Sequence, residues 1–374
     1  MVIAINARVL SERRGGPARY TANLLRELAA IDRSNTYILL LKESVSFGFE
    51  LPPNFKVKII KSNNRVFFDY IYLPFFSWRT KIDYFIFPKN TFSPLIRGKK
   101  LPVYHDIIYY ENVGYREFSF WDHLHHRVMI RINSRTSDMD ITVSDFTASR
   151  MKALLGINDS KIIVAKEGVE SNFVTVANKN DLLPVKRKYN ITKPFLFYTG
   201  SLSPRKNMIN LLKAFVMVKD KIEHNLYFTG GDSWRDNDVF RFIKDNHLEN
   251  RVVKLGFVDD AELVSLYNLA DCYMYPSRYE GFGLPILEAQ ACGCPVITST
   301  VSSCPEIAGD SALLVDPEKP EEIADAIFRI VTDPALRKSL IEKGYANCKR
   351  FSWRTMAERI HSAIEEHYKR THPK

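Results

Sequence analysis

Two carboxylates bracket a glycine-rich turn in the segment Glu280-Gly-Phe-Gly-Leu-Pro-Ile-Leu-Glu288. Gly281 and Gly283 allow positive φ or a close approach of backbone to a ligand. Pro285 suits the first position of a helix, whose free N–H groups and partial positive charge favour a diphosphate. Glu288 is expected in the first helical turn and Glu280 just before the glycines. Two acids around an anion-binding turn are costly unless they accept hydrogen bonds from ribose or sugar hydroxyls. A plain helix-capping role would account for Glu288 alone.

Two further loops repeat the pattern of a strand end running into a helix start, and a third lies at a strand end. Tyr198-Thr-Gly-Ser-Leu-Ser-Pro-Arg205-Lys206-Asn207 offers a forked guanidinium beside a compact ammonium, a pair able to neutralise a departing diphosphate. On its own, such a pair after a turn is more often ordinary surface. Arg13-Arg-Gly15-Gly16-Pro-Ala-Arg19-Tyr20 is a glycine turn at a helix start. It is neither a P-loop nor a dinucleotide fingerprint. Val103-Tyr-His105-Asp106 places His105 where it could meet a sugar hydroxyl, although a lone strand-end histidine is more often structural.

The elements that must hold these loops alternate along the whole chain. Short β-branched or aromatic runs at 2–7, 37–41, 56–60, 84–87, 102–104, 141–143 and 162–165 predict strands, separated by amphipathic stretches such as 18–31 and 118–135. A second series predicts strands at 195–199, 225–229, 252–255, 272–275, 295–298 and 312–315. Helices fit 208–219, 239–246, 259–270, 285–292, 320–331 and 334–347. The alternation predicts two α/β, doubly wound parallel sheets facing one another. The first domain would span 1–173 and the second 194–354. Residues 174–193, polar and marked by Pro184, read as the linker between them. Ligands of such sheets bind at the carboxyl ends of the strands, here in an interdomain cleft.

The bulk numbers fit a soluble two-domain chain. The 374 residues include no apolar run long enough for a membrane span, and the N-terminus reads as a first strand rather than a signal peptide. Five cysteines without a pairing pattern suggest reduced thiols in the cytoplasm. Cys292-Gly-Cys294 lacks the second ligand pair of a zinc site, so no metal is expected. The net charge of +10 sits on the first half, with 25 Lys and Arg against 17 Asp and Glu in residues 1–173. That excess suits an anionic partner, a membrane face or a lipid-linked phosphate, or else is simply solvated. No nucleic-acid-binding motif is present, so nucleic acid is not expected as a partner. The run Val66–Trp78, aromatic between Arg65 and Arg79, is either core or a surface that meets lipid headgroups.

Together these loops resemble those of the retaining glycosyltransferases of the GT-B fold, family 4. The likeness spans nearly the whole chain and is most specific at Glu280…Glu288. It extends to Leu255-Gly-Phe-Val258, 289–296, Pro305-Glu306 and Phe351-Ser-Trp353. It implies that a C-terminal helix, residues 355–374, crosses back onto the N-terminal domain. By the same likeness Glu288 would hold the donor ribose and Glu280 the transferred sugar, with Gly283 and Leu284 near sugar and phosphate. Arg205 and Lys206 would bind the diphosphate, Gly16 would approach it, His105 would sit at the reacting sugar, and the backbone of Phe257 and Val258 would meet the base. Two departures stand out: Ala18 replaces a glycine common in relatives, and Ser201 stands where some branches carry arginine.

The start Ile-Asn-Ala-Arg-Val-Leu with Pro-Arg-Lys-Asn is most similar to bacterial mannosyltransferases of surface polysaccharide synthesis. That similarity implies GDP-mannose as donor substrate, no separate cofactor, no metal, and a glycan or lipid-linked acceptor. A UDP- or dTDP-sugar is the runner-up donor. A glycoside hydrolase, which needs two carboxylates but no phosphate loops, is a weaker alternative, as are a sugar-nucleotide epimerase and a non-catalytic nucleic-acid-binding protein.

Overall fold

The computed structural model describes residues 1–373 except 12–14, 63, 65, 112–117 and 231–235, with nothing given for the side chains of 236 and 237. The chain forms two compact units. The first comprises Met1–Glu111, Phe118–Glu167 and Ser352–Lys374, and Gly168–Phe351 lies in the second.

The first unit is built on seven parallel strands: β1 (Val2–Asn6), β2 (Thr36–Leu41), β3 (Phe55–Ile59), β4 (Tyr84–Phe87), β5 (Lys99–Tyr104), β6 (Asp140–Thr142) and β7 (Ile162–Val164). Their order across the sheet is β3-β2-β1-β4-β5-β6-β7. The apolar runs mark these strands because both sheet faces are covered, which removes the alternation of a half-exposed strand. β5 begins three residues earlier than its apolar run, at Lys99 and Lys100, whose partners in β4 are Tyr84 and Phe85. The last helix, Trp353–Thr371, belongs to this unit. His361 lies 3.2 Å from Asp32, and Tyr84 hydrogen-bonds His367 at 2.8 Å.

The second unit carries β8 (Phe195–Thr199), β9 (Asn225–Thr229), β10 (Val252–Lys254), β11 (Cys272–Tyr275), β12 (Val296–Ser299) and β13 (Ala312–Val315), in the order β10-β9-β8-β11-β12-β13. Its core joins Leu196, Phe228 and Met274 of the strands to Leu211, Phe215, Ile323 and Ile327 of flanking helices. Residues 174–193, which the sequence marks as a linker, hold a short helix, Leu183–Lys188. They are tied into this unit where Val176 N–H donates to Asn268 (2.8 Å) and Tyr189 donates to Glu262 (2.9 Å).

Sheet order decides where a ligand can sit. From β8 the chain winds outward through β9 to one edge and returns at β11 to wind toward the other. The loops after β8 and β11 therefore diverge and leave a crevice at their carboxyl ends. In the first unit the same reversal lies between β1 and β4.

One contact shows how tightly the β8 and β9 ends are joined. Gly200 N–H donates to Thr229 O at 3.0 Å, and a Cβ on Gly230 would lie 1.9 Å from the Gly200 carbonyl oxygen. Backbone cannot yield as a side-chain tip can. Gly230→Ala is expected to cost about 3 kcal/mol or more and to displace the Arg205 loop. A denaturant melt reads the first effect and donor KM the second.

Candidate active site

The crevice between β8 and β11 brings together residues far apart in sequence. After β8, a single 3-10 turn, Pro204–Lys206, ends at Asn207, which adopts left-handed φ 62°. The Asn207 side-chain amide donates to Pro276 O (2.9 Å) and Pro317 O (2.7 Å), locking this turn onto the loops after β11 and β13. Arg278 N–H donates to Arg205 O at 2.7 Å, a second clasp between the two loops.

Three charges meet there. Lys206 Nζ lies 2.7 Å from Glu280 Oε1, and Arg205 Nη1 lies 3.2 Å from Glu280 Oε2. Lys206 also donates to Tyr275 Oη at 2.8 Å. Glu280 is only 6% exposed. Burial alone would raise its carboxyl, but the Lys206 and Arg205 charges outweigh that and hold it below its ordinary value. For Lys206, burial pushes the ammonium down, with Glu280 opposing and Arg205 adding to the depression. Two cations share one carboxylate, so the cluster carries a net positive charge in a largely dehydrated place. That is the electrostatic condition for holding an anion such as a diphosphate.

The glycine turn completes the crevice. Gly283 caps the helix Leu284–Ala291 at φ 109°, a left-handed value that a side chain would strain. Pro285 occupies the second helical position, one later than expected, because the helix opens at Leu284. For the same reason Glu288 falls in the second turn rather than the first. It is buried, with Tyr267 donating to Glu288 Oε2 at 3.2 Å.

Ser302 and Ser303 join the site without any motif to announce them. Glu280 N–H donates to Ser302 Oγ (3.1 Å), while Ser303 Oγ donates to Glu280 O (3.0 Å) and Phe282 O (2.7 Å). These hydroxyls fix the turn that aims Glu280. The only sequence signal for them is proximity to Pro305-Glu306. Phe257 and Val258 follow β10; the Phe257 side chain is 72% exposed and Val258 is buried.

The other expected residues lie in the first unit. Gly16 opens the helix Gly16–Ile31 after β1, with Pro17 beside it. Arg13 and Arg14 of the same motif lie outside the described residues. A Cβ on Gly16 would meet no atom within 4 Å, so packing does not demand glycine there. His105, at the end of β5, turns Nε2 to Pro88 O (2.9 Å) and Nδ1 to Glu167 Oε1 (3.4 Å). Its ring meets Tyr20 edge-on at 5.1 Å. The structure thus joins Arg205, Lys206, Glu280 and Gly283 in one crevice of the second unit, with Leu284 opening the helix that follows, and holds His105 by groups of the first unit.

Comparison with known proteins fits this geometry. Residues 181–347 match the family described as "Glycosyl transferases group 1", a span that contains the whole crevice. The O-antigen chain mannosyltransferase B of Escherichia coli is 31% identical over 282 residues, covering 72% of this chain and 71% of that protein. The chain belongs to the group 1 glycosyltransferases. A second similar protein, the serotype-specific mannosyltransferase WbdA of Escherichia coli, is 25% identical over 61% of the chain, a match that takes in 28% of WbdA's own length. The solved sucrose-phosphate synthase of Thermosynechococcus elongatus aligns over 98% of both chains with a TM-score of 0.77 at 20% identity, a likeness of fold alone. The two doubly wound sheets and the last helix are those of the GT-B glycosyltransferases.

Proposed function

We propose that this glycosyltransferase moves a mannosyl group from GDP-mannose to a glycan or lipid-linked acceptor of surface polysaccharide, with retention of anomeric configuration. The observation that carries the donor part is the buried cluster of Arg205, Lys206 and Glu280 at the sheet reversal, with its net positive charge. The mannosyltransferase names of both relatives favour mannose over other sugars.

In this reading the diphosphate lies against Arg205 and Lys206, and Glu280 faces the sugar. Glu288, buried beside Tyr267, reaches the ribose once a side-chain rotation turns it from that hydroxyl. The acceptor hydroxyl attacks the anomeric carbon on the face the diphosphate leaves. The sugar–phosphate C–O bond breaks as the new glycosidic bond forms, and a phosphate oxygen takes the acceptor's proton. Charge that grows on the leaving phosphate meets cations already fixed in place, so no reorganisation is needed at the moment of reaction. His105 is proposed to contact the reacting sugar, and Gly16 to let the first unit approach the diphosphate. Backbone at Phe257 and Val258 would meet the base, which leaves UDP- and dTDP-sugars as the second choice.

A thermal-shift screen against GDP, UDP, dTDP and ADP tests the donor, because a ligand that binds only the folded state raises the melting temperature by mass action. GDP is expected to give the largest rise. A larger rise with UDP or dTDP would transfer the proposal to that base. Transfer is also expected to continue in EDTA, since Arg205 and Lys206 supply the positive charge. Loss of turnover restored by Mg²⁺ or Mn²⁺ would overturn that point.

A further inference from the structure

The aromatic run Val66–Trp78 proves to be both core and surface. A π-helical stretch, Phe67–Tyr72, continues into the helix Leu73–Arg79. Phe68, Leu73 and Phe76 pack on Phe85 and Phe87 of β4. Phe67, Ile71, Phe75 and Trp78, spaced three or four apart on the same helix, are exposed. A second helix, Phe120–Thr136, behaves alike: Ile130 packs inward with Tyr104 of β5, while Trp121, Leu124, Val128 and Ile132 form an exposed stripe at intervals of three or four. A parallel stripe, Arg127, Arg131 and Arg135, runs one residue behind it.

Strand register shows that both helices cover one face of the sheet. Phe87 pairs with Pro102, so the two side chains share a face, and Tyr104, two residues on, shares it too. The helix that packs on Phe87 and the helix that packs on Tyr104 therefore lie side by side on the same layer. Their outer surfaces bear apolar stripes where a soluble face would be polar.

Charge along the stretch of sequence that holds the first stripe is one-sided, although Asp138 pairs with Lys99 at 3.0 Å and with Lys100 at 3.9 Å. Residues 51–100 contain ten Lys and Arg but only two acids, Asp69 and Asp83. Both acids are engaged inside the fold: Asp69 accepts from Asn6, and Asp83 from Val2 N–H. Arg79 stacks over Phe75 at 4.1 Å and Arg97 over Trp78 at 5.5 Å, so cations are interleaved with the exposed rings. Rings flanked by cations suit the boundary between lipid headgroups and acyl chains, where apolar area and positive charge are satisfied together.

We infer that this helical layer of the first unit is a docking surface for an anionic lipid bilayer, seating Trp78 and Trp121 at the headgroup level. The inference stands apart from the identity of the donor.

The test uses the full chain and vesicles of phosphatidylcholine alone or with phosphatidylglycerol. The protein is expected to float with the phosphatidylglycerol vesicles at low salt and to be released as salt rises. Trp78 is 54% and Trp121 75% exposed, so tryptophan emission should shift to the blue on binding. Arg79→Gln and Arg97→Gln are each expected to weaken vesicle binding about fivefold. Trp78→Ser with Trp121→Ser should weaken it further and abolish most of the blue shift. Melting temperature and nucleotide binding of each variant confirm that the fold and the crevice are intact. Absence of flotation by the intact protein would overturn the inference. So would flotation that the four substitutions leave unchanged, or a wild-type dimer that the double serine variant converts to monomer.

Discussion

Glu280→Gln is expected to lower kcat by about 10²–10³-fold while leaving the nucleoside diphosphate bound at least as tightly as before. The substitution keeps the shape of the side chain and removes its charge. The Glu280 charge then no longer offsets Lys206 and Arg205, so more of their positive charge is offered to the ligand. The same loss destabilises the free protein, since breaking a buried pair by removing one partner costs up to about 3–5 kcal/mol. Added GDP should restore more of that stability in the variant than it adds to the wild type, because the diphosphate replaces the missing anion. Steady-state kinetics with calorimetric titration checks both halves. A variant that loses turnover and nucleotide affinity in equal measure would show that Glu280 merely holds the loop.

Lys206→Ala is expected to act on both binding and chemistry. A charge-assisted hydrogen bond contributes about 1.5–3 kcal/mol, so nucleotide affinity should fall roughly tenfold to hundredfold. If the ammonium also stabilises the leaving phosphate, kcat/KM should fall further, by about 10³-fold. The pH profile gives a sharper sign. In the proposed reading transfer uses the ammonium form, which is present below the Lys206 pKa and lost as pH rises through it. Burial depresses that pKa, so the alkaline limb should begin below the ordinary lysine value of about 10.4. Lys206→Arg keeps a charge that does not titrate in this range. Whatever activity it retains should lack that limb. An unchanged limb in Lys206→Arg would place its origin in another group.

Much of the fold is legible in the amino-acid sequence itself. The strands appear as apolar runs because both faces of each sheet are covered, and Gly283 with Pro285 marks the start of the Leu284–Ala291 helix. What periodicity cannot give is sheet order. Arg205 and Glu280 are 75 positions apart, and only the adjacency of β8 and β11 brings their loops together. Glu288 lies one residue further into the helix than Pro285 suggests, enough to place it in the second turn, because proline is tolerated at the second helical position as well as the first. Ser302 and Ser303 carry no motif: a hydroxyl that tethers a distant backbone leaves no spacing signature. The Val66–Trp78 run cannot be assigned to core or surface by its residue types, because one helix bears apolar residues on both its inner and outer sides.

The claim on which the rest depends is that the Arg205–Lys206–Glu280 crevice holds a diphosphate. It is tested most directly by calorimetric titration with the nucleotide that most raises the melting temperature, alongside the corresponding nucleoside, for the wild type and Lys206→Ala. The crevice predicts saturable binding of the diphosphate, much weaker binding of the nucleoside, and a difference between the two that shrinks in Lys206→Ala. Nucleoside and nucleotide bound equally well by the wild type, or a diphosphate preference untouched by the substitution, would contradict it.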